Sequence, residues 1–149
     1  MDRPPSIKQF ERLWWGSTIL WGIGTWLAWE RTANALNARP QTAEVAGLAL
    51  WGNVALVLAI SLILWWLAAR RVSVIGKWLV VAAAAMSGVR VLILLFGLIG
   101  GANFHPLSQG AFLLSAALTV WSAVMLFRGD ALDWFGEHRA EEEDGEEPA

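Results

Sequence analysis

Cysteine and tyrosine are absent, histidine occurs only twice, and no aspartate or glutamate falls inside any of the chain's long apolar runs. Without cysteine there is no disulfide framework, no thiolate metal site and no thiol nucleophile, and the redox compartment leaves no trace. His105 and His138 lie in different connectors, with no spacing partner for a metal and no place in a span where either could ligate haem. The inventories for acid–base, nucleophilic and metal chemistry are therefore almost empty. A non-catalytic protein without a cofactor is the expectation, and nothing in the composition points to nucleic acid.

Charge is also scarce. Only 16% of the 149 residues are charged against 56% hydrophobic, and the mean hydropathy is +0.48. Most charges sit at the two ends or in short connectors. Between them the apolar residues run on with no solvent-facing stripe, which is the composition of a membrane protein.

Four such runs are expected to span: Leu13 to Trp29, Val45 to Ala69, Trp78 to Ile99 and Gly110 to Phe127. At ~1.5 Å per helical residue, runs of about this length cross or nearly cross a ~30 Å hydrocarbon core. Ser6 with Gln9 reads as a capping box opening the first helix, the stretch from Glu30 to Glu44 as a polar connector, and Pro40 or Thr42 as the start of the second helix. Ala33-Asn34-Ala35 offers a small-x-small cleavage pattern, but a run with five tryptophans is long for a signal peptide, so the first span is expected to be retained. Residues 131 to 135 form a short segment suited to the membrane surface, and 136 to 149 an acidic tail too poor in apolar residues to fold alone.

With the N-terminus in the cytoplasm, Arg3, Lys8, Arg12, Arg70, Arg71, Lys77, Arg128 and Arg139 fall on the inner side and only Arg31 and Arg39 on the outer. That asymmetry sets both termini inside, with Arg70, Arg71 and Lys77 as the topology determinants beside anionic headgroups. The fold class expected is all-α: an integral membrane four-helix bundle, up-down-up-down, N-in and C-in.

Eleven tryptophans are what the sequence has in abundance. Trp14, Trp15, Trp65, Trp66 and Trp78 fall towards the inner interface and Trp26, Trp29 and Trp51 towards the outer, as an anchoring belt. Trp21 lies near mid-membrane, where it either packs or stacks a quinone, a pigment or a quaternary amine. Gly24 with Ala28, Ala84 with Gly88, and Gly97 with Gly101 have the four-residue spacing of close helix contacts, within the chain or between copies.

Arg90 is the charge that needs an account. It lies ~14 Å from the outer end of its span by helical rise, where an arginine costs ~2.5–3.5 kcal/mol on insertion scales, so it should face protein or water. The second and third runs are antiparallel about a turn near Val72, which puts Asn53 at its depth. Thr25, Ser115 and Ser87 complete a candidate intramembrane polar site. Three fates remain open for Arg90: structural hydrogen bonds to Asn53 and backbone carbonyls, reaching out to a headgroup, or an anionic ligand.

The opening "RPPSIKQFERLWWGS", Arg3 to Ser17, and "LWWLAARRVSVIGKWLV", Leu64 to Val80, resemble a group of small bacterial inner-membrane proteins that begin R-P-x-S-I/V-x-x-F-E-x-L. The resemblance implies four helices in a bacterial cytoplasmic membrane and transfers no functional residue, since the group has no established activity. Three functional readings follow. They are an accessory or interaction module, with a second copy or another membrane protein as partner besides the bilayer; a small oligomeric transporter or channel using Arg90 for an anion or carboxylate; and a lipid- or quinone-binding subunit. The small multidrug-resistance transporters are of similar size but depend on a glutamate in their first helix, which this chain lacks. A topology reporter joined to the C-terminus is expected to read the cytoplasmic side; a signal from the opposite side would overturn the charge argument.

Overall fold

A computed structural model describes residues 3–99 and 106–136, and within them the chain is helical with short turns. Six helices follow one another: α1 (Pro5–Asn37), α2 (Pro40–Ala43), α3 (Ala46–Ala69), α4 (Val74–Ile99), α5 (Pro106–Met125) and α6 (Gly129–Phe135). Three of them, α3, α4 and α5, are long and apolar enough to cross a membrane. In α3 only Ala46, Leu64, Ala68 and Ala69 are buried. Leu48, Ile63, Ile93 and Phe96 are among the large side chains left on the outside of α3 and α4. A continuous apolar exterior of that kind needs an apolar solvent or a partner.

α1 differs in character. It is long, with 33 residues, but serine, threonine, glycine and tryptophan interrupt its aliphatic run, and the polar groups are turned inward: Ser17, Thr18 and Trp21 are buried. It packs along α5 more extensively than any other pair of helices pack. The Ser115 hydroxyl donates to the Ser17 carbonyl at 2.8 Å and the Ser108 hydroxyl to the Gly24 carbonyl at 2.9 Å, so the two helices run antiparallel. Gly24 permits this approach, since a Cβ there would stand 3.0 Å from the Phe112 ring. α3 joins α1 through the Trp14 indole N–H on the Ser61 carbonyl at 3.0 Å and the Trp29–Trp51 ring pair, 4.9 Å between centroids. α4 closes the circuit by packing on α3 and α5.

The apolar core lies at one end of this circuit. Ile7, Phe10, Trp14, Leu64, Ala68, Ala69, Val80, Ala84, Leu126, Ala131 and Phe135 form one cluster, where the start of α1, the α3–α4 turn and the end of α5 meet. In that turn Gly76 lies against α3 so closely that a Cβ would be 2.9 Å from the Leu67 carbonyl carbon. Val72 takes a left-handed backbone conformation, φ 51°, at a cost of roughly 1–2 kcal/mol for an L-residue, while its side chain packs against the cluster.

Several expectations change here. Ser6 is not the helix cap: α1 begins with Pro5 in its first turn and no capping side chain of its own. Instead the Ser6 backbone N–H donates to the Asp130 carboxylate at 3.0 Å, so α6 supplies the cap from the other end of the chain. The segment from 131 to 135 accordingly does not lie free on a surface, because Ala131 and Phe135 enter the core. α1 continues past Glu30 and Arg31 to Asn37. The second span is preceded by a separate single turn, α2, and a break at Glu44 and Val45. Lys77 is buried, its ammonium 4.3 Å from the Phe127 ring centroid and 5.7 Å from that of Phe135, and so faces aromatic rings, not headgroups. Trp14 is a core residue and no interfacial anchor. The tail from 137 onward, the turn at 100 to 105, both histidines and the Gly101 member of the Gly97 pair lie outside the described residues.

The Asp130 carboxyl is held below its ordinary value of 3.8 first by the Ser6 N–H, against the cost of burial, with the Arg128 charge acting in the same direction as the N–H. A depressed carboxyl stabilises the fold fully above its unfolded value, and that contribution is lost as pH falls through the folded one. Asp130→Ala is expected to remove about 1 kcal/mol, the usual worth of an N-cap, and to abolish the part of the wild-type acid destabilisation that sets in below the ordinary carboxylate value. Melting curves in detergent across that pH range check both.

Candidate functional site

Beyond the core cluster the four long helices leave space between them. A cavity of about 210 Å³ lies between residues 14–21 of α1, 57–64 of α3, 83–90 of α4 and 115–119 of α5. A second, of about 190 Å³, continues among Thr25, Trp29, Thr32, Leu50 and Asn53, and a small one of about 50 Å³ opens between α4 and α5. Arg90 and Trp21 line all three. They therefore stand where the cavities meet, between an inner and an outer chamber, with Phe112 beside them, and Arg90 itself is exposed.

The Arg90 guanidinium carbon lies 4.7 Å from the centroid of the Phe112 ring, a cation–π contact that offsets part of the cost of a charge away from bulk water. No described carboxylate is within ion-pair distance of it, and no hydrogen bond joins it to a described residue. The first of its three possible fates, a structural bond to Asn53, is thus not what the geometry shows. Asn53 lines the outer chamber with Arg90 and Thr25, at the depth that the antiparallel register requires, but is not bonded to it.

Five hydroxyls of the inner chamber are already committed as donors. Ser17 and Thr18 both donate to the Trp14 carbonyl, at 2.8 and 3.0 Å. Ser87 donates to Ala83 at 3.0 Å, Ser115 to Ser17 at 2.8 Å and Thr119 to Ser115 at 2.9 Å. The Trp14 N–H is likewise spent on α3. What remains are hydroxyl lone pairs, which accept, the neutral donors of Ser61, Thr25 and Asn53, and the guanidinium, which carries five N–H donors. The lumen thus presents one strong cationic donor group among neutral polar groups and aromatic faces.

The five candidate residues are therefore brought to one lumen but divided between its chambers, Thr25 and Asn53 on one side and Ser87 and Ser115 on the other, with Arg90 at the division. Reasoning from the sequence missed Ser17, Thr18, Ser61 and Phe112 as lining residues, set Thr119 beside Ser115, and left Trp21 between packing and stacking. A signal was available: Trp14, Ser17, Thr18, Trp21, Thr25 and Ala28 recur at helical spacing on α1, and Ser108, Ser115 and Ser122 stand seven apart on α5, a repeat that keeps one face towards a partner helix. Of the other tryptophans, Trp26, Trp51, Trp66 and Trp78 are exposed, while Trp15, Trp29 and Trp65 are half-buried at helix contacts. Arg70 and Arg71 stack on Trp65 and Trp66, 5.3 and 4.5 Å from the ring centroids.

Replacing Ser115 by alanine deletes a hydroxyl that both ties α5 to α1 and lines the inner chamber. A loss of about 0.6 kcal/mol is expected, the average for an interhelical bond in a membrane, and a double-mutant cycle with Ser108→Ala, two turns away on the same seam, should be close to additive. Compared with protein-family models, with curated proteins and with solved structures, the chain gives no match, and the functional reading rests on this geometry.

Proposed function

We propose that the protein is a non-catalytic integral membrane module that crosses the bilayer four times, with α1 as the fourth span and both termini in the cytoplasm, and that its lumen takes a small ligand carrying one anionic group, of carboxylate type, on Arg90. The observation that carries this reading is the position of Arg90: it lines all three cavities, rests on Phe112 and has no acidic partner among the described residues. A guanidinium in a medium of low polarity binds a carboxylate through two parallel charge-assisted hydrogen bonds. The acceptors around it suit hydroxyl or amide groups on the same ligand. Each chamber is smaller than the ~300 Å³ at which ligand pockets usually begin, which favours a ligand of a few heavy atoms.

The packing of α1 supports four spans. Its Ser17 and Gly24 carbonyls accept the Ser115 and Ser108 hydroxyls of α5, a helix of spanning length, and an antiparallel partner of such a helix would share its depth. Conduction is the less favoured use, because the core cluster closes the lumen at the end where the termini lie. Binding without passage fits an accessory or sensing role in a bacterial cytoplasmic membrane.

The test is a thermal-shift series in nanodiscs with carboxylates from acetate to benzoate. One or more should stabilise the wild type, by about 2.7 kcal/mol at a hundredfold excess over Kd. Arg90→Gln should abolish the shift and Arg90→Lys should weaken it, since an ammonium lacks the fork. The absence of a shift with every carboxylate, or an equal shift in Arg90→Gln, would remove this reading. Flux of the same compounds into liposomes would instead favour the transporter.

A further inference from the structure

A second feature lies outside the lumen, where α1 and α5 meet near the termini. A groove of about 630 Å³ runs between them, with Gln9, Arg12 and Arg128 at one end and Leu13, Trp121 and Val124 along its length. Arg12 immediately precedes the apolar run of α1, and Arg128 follows that of α5. Seven residues separate Arg128 from Trp121, about 10 Å along a helix. Positive charge thus stands at one end of an apolar trough that leads towards the middle of the bundle.

Most other described basic residues at this end are engaged. Arg3 pairs with Glu11 at 2.8 Å, Arg70 and Arg71 lie on tryptophan rings, and Lys77 is buried against Phe127. Lys8 is exposed but does not line the groove. Arg12 and Arg128 have no ion pair among the described residues. The single bond there, from Arg128 to the Gln9 side-chain oxygen, is long at 3.4 Å. Asp130 feels the Arg128 charge, but its carboxylate is committed to the Ser6 N–H.

We propose that this groove binds an anionic phospholipid of the cytoplasmic leaflet, its headgroup phosphate between Arg12 and Arg128 and an acyl chain along Leu13, Trp121 and Val124. The charge complements a phosphodiester, and the order, guanidinium at the interface and apolar wall below it, matches how a lipid stands in its leaflet. The proposal rests on the four-span reading, which places this end of the helices at the inner surface.

The experiment uses the full-length protein in nanodiscs of phosphatidylglycerol and phosphatidylcholine, followed by native mass spectrometry for retained lipid. The wild type should retain phosphatidylglycerol selectively. Arg12→Gln combined with Arg128→Gln should weaken that retention roughly thirtyfold, from the usual worth of two basic side chains near an anionic surface. Arg70→Gln combined with Arg71→Gln, which removes equal charge at the same interface, should leave it within about threefold, as screened exposed charges act weakly at a distance. Retention unchanged in the first pair, or lost equally in both, overturns the proposal, as does displacement of the lipid by millimolar inorganic phosphate. Carbonate-resistant association with neutral phosphatidylcholine vesicles reports spanning separately: if that fails, the four-span reading falls; if it holds while phosphatidylglycerol is not selected, only the groove assignment falls.

Discussion

In an apolar solvent two helices gain nothing by hiding apolar surface from each other, and what draws them together is close packing and the need of polar groups for partners. The seam between α1 and α5 meets both conditions. Ser108 and Ser115 donate across it to the backbone of α1, and Gly24 lets the Phe112 ring approach within van der Waals distance. α1 carries more serine and threonine than α3 or α4, so it turns a hydroxyl-bearing face inward, and that face becomes one wall of the lumen. The remaining walls are set by attachment at the two ends: the core cluster where the termini lie, and the Trp29–Trp51 pair on the opposite side of the lumen.

Those attachments leave the middle of the bundle unfilled, and the reason is chemical. Serine and threonine on α1 and α5 are too short to meet across four helices, and the Ser17, Thr18, Ser115 and Thr119 hydroxyls each bond a backbone carbonyl in their own turn or on the neighbouring helix. A leucine in the same places would have filled the space at no polar cost. The one side chain long enough to cross is Arg90. Its contact with Phe112 holds it at the junction of the chambers and leaves its N–H groups directed to no described acceptor.

The apolar runs of α3, α4 and α5 were legible because aliphatic residues dominate them and Arg90 is the one charge well inside any of them, and the expected depth of Arg90 relative to Asn53 followed from a short antiparallel turn. Other features had no local signature. The cap on α1 joins positions 6 and 130, and no rule of spacing links an aspartate to an amide so far away. Lys77 read as an interfacial charge by its position beside two arginines; its burial depends on Phe127 and Phe135, which reach it only after α5 and α6 have folded back. Trp14 and Trp15 are neighbours that a belt argument treats alike, yet one helical step, about 100° of rotation, puts Trp14 in the core and leaves Trp15 half-buried beside Trp65. The overrun of α1 to Asn37 reflects helix formers after Arg31, which an argument based on the end of the apolar run does not weigh.

The filling of one end supports the proposed binding role over conduction. A pore needs a polar path to both surfaces, whereas here Ile7, Phe10, Leu126 and Phe135, all fully or almost fully buried, fill the end near the termini. Opening a path there would expose the cap between Asp130 and Ser6 and the packed turn at Gly76, where a close backbone approach tolerates little movement. The far end is held by aromatic rings and half-buried side chains, a looser arrangement than a core. A ligand that satisfied Arg90 would therefore reach it from the far end or from between helices, and the free energy of that contact would act mainly on how α3 and α4 sit against the α1–α5 pair, since α3 and α4 pack less extensively on that pair than its two helices do on each other. Under the proposed reading, binding at Arg90 would shift the α3–α4 hairpin, and the outward apolar faces of those helices would carry that change to a neighbour in the membrane.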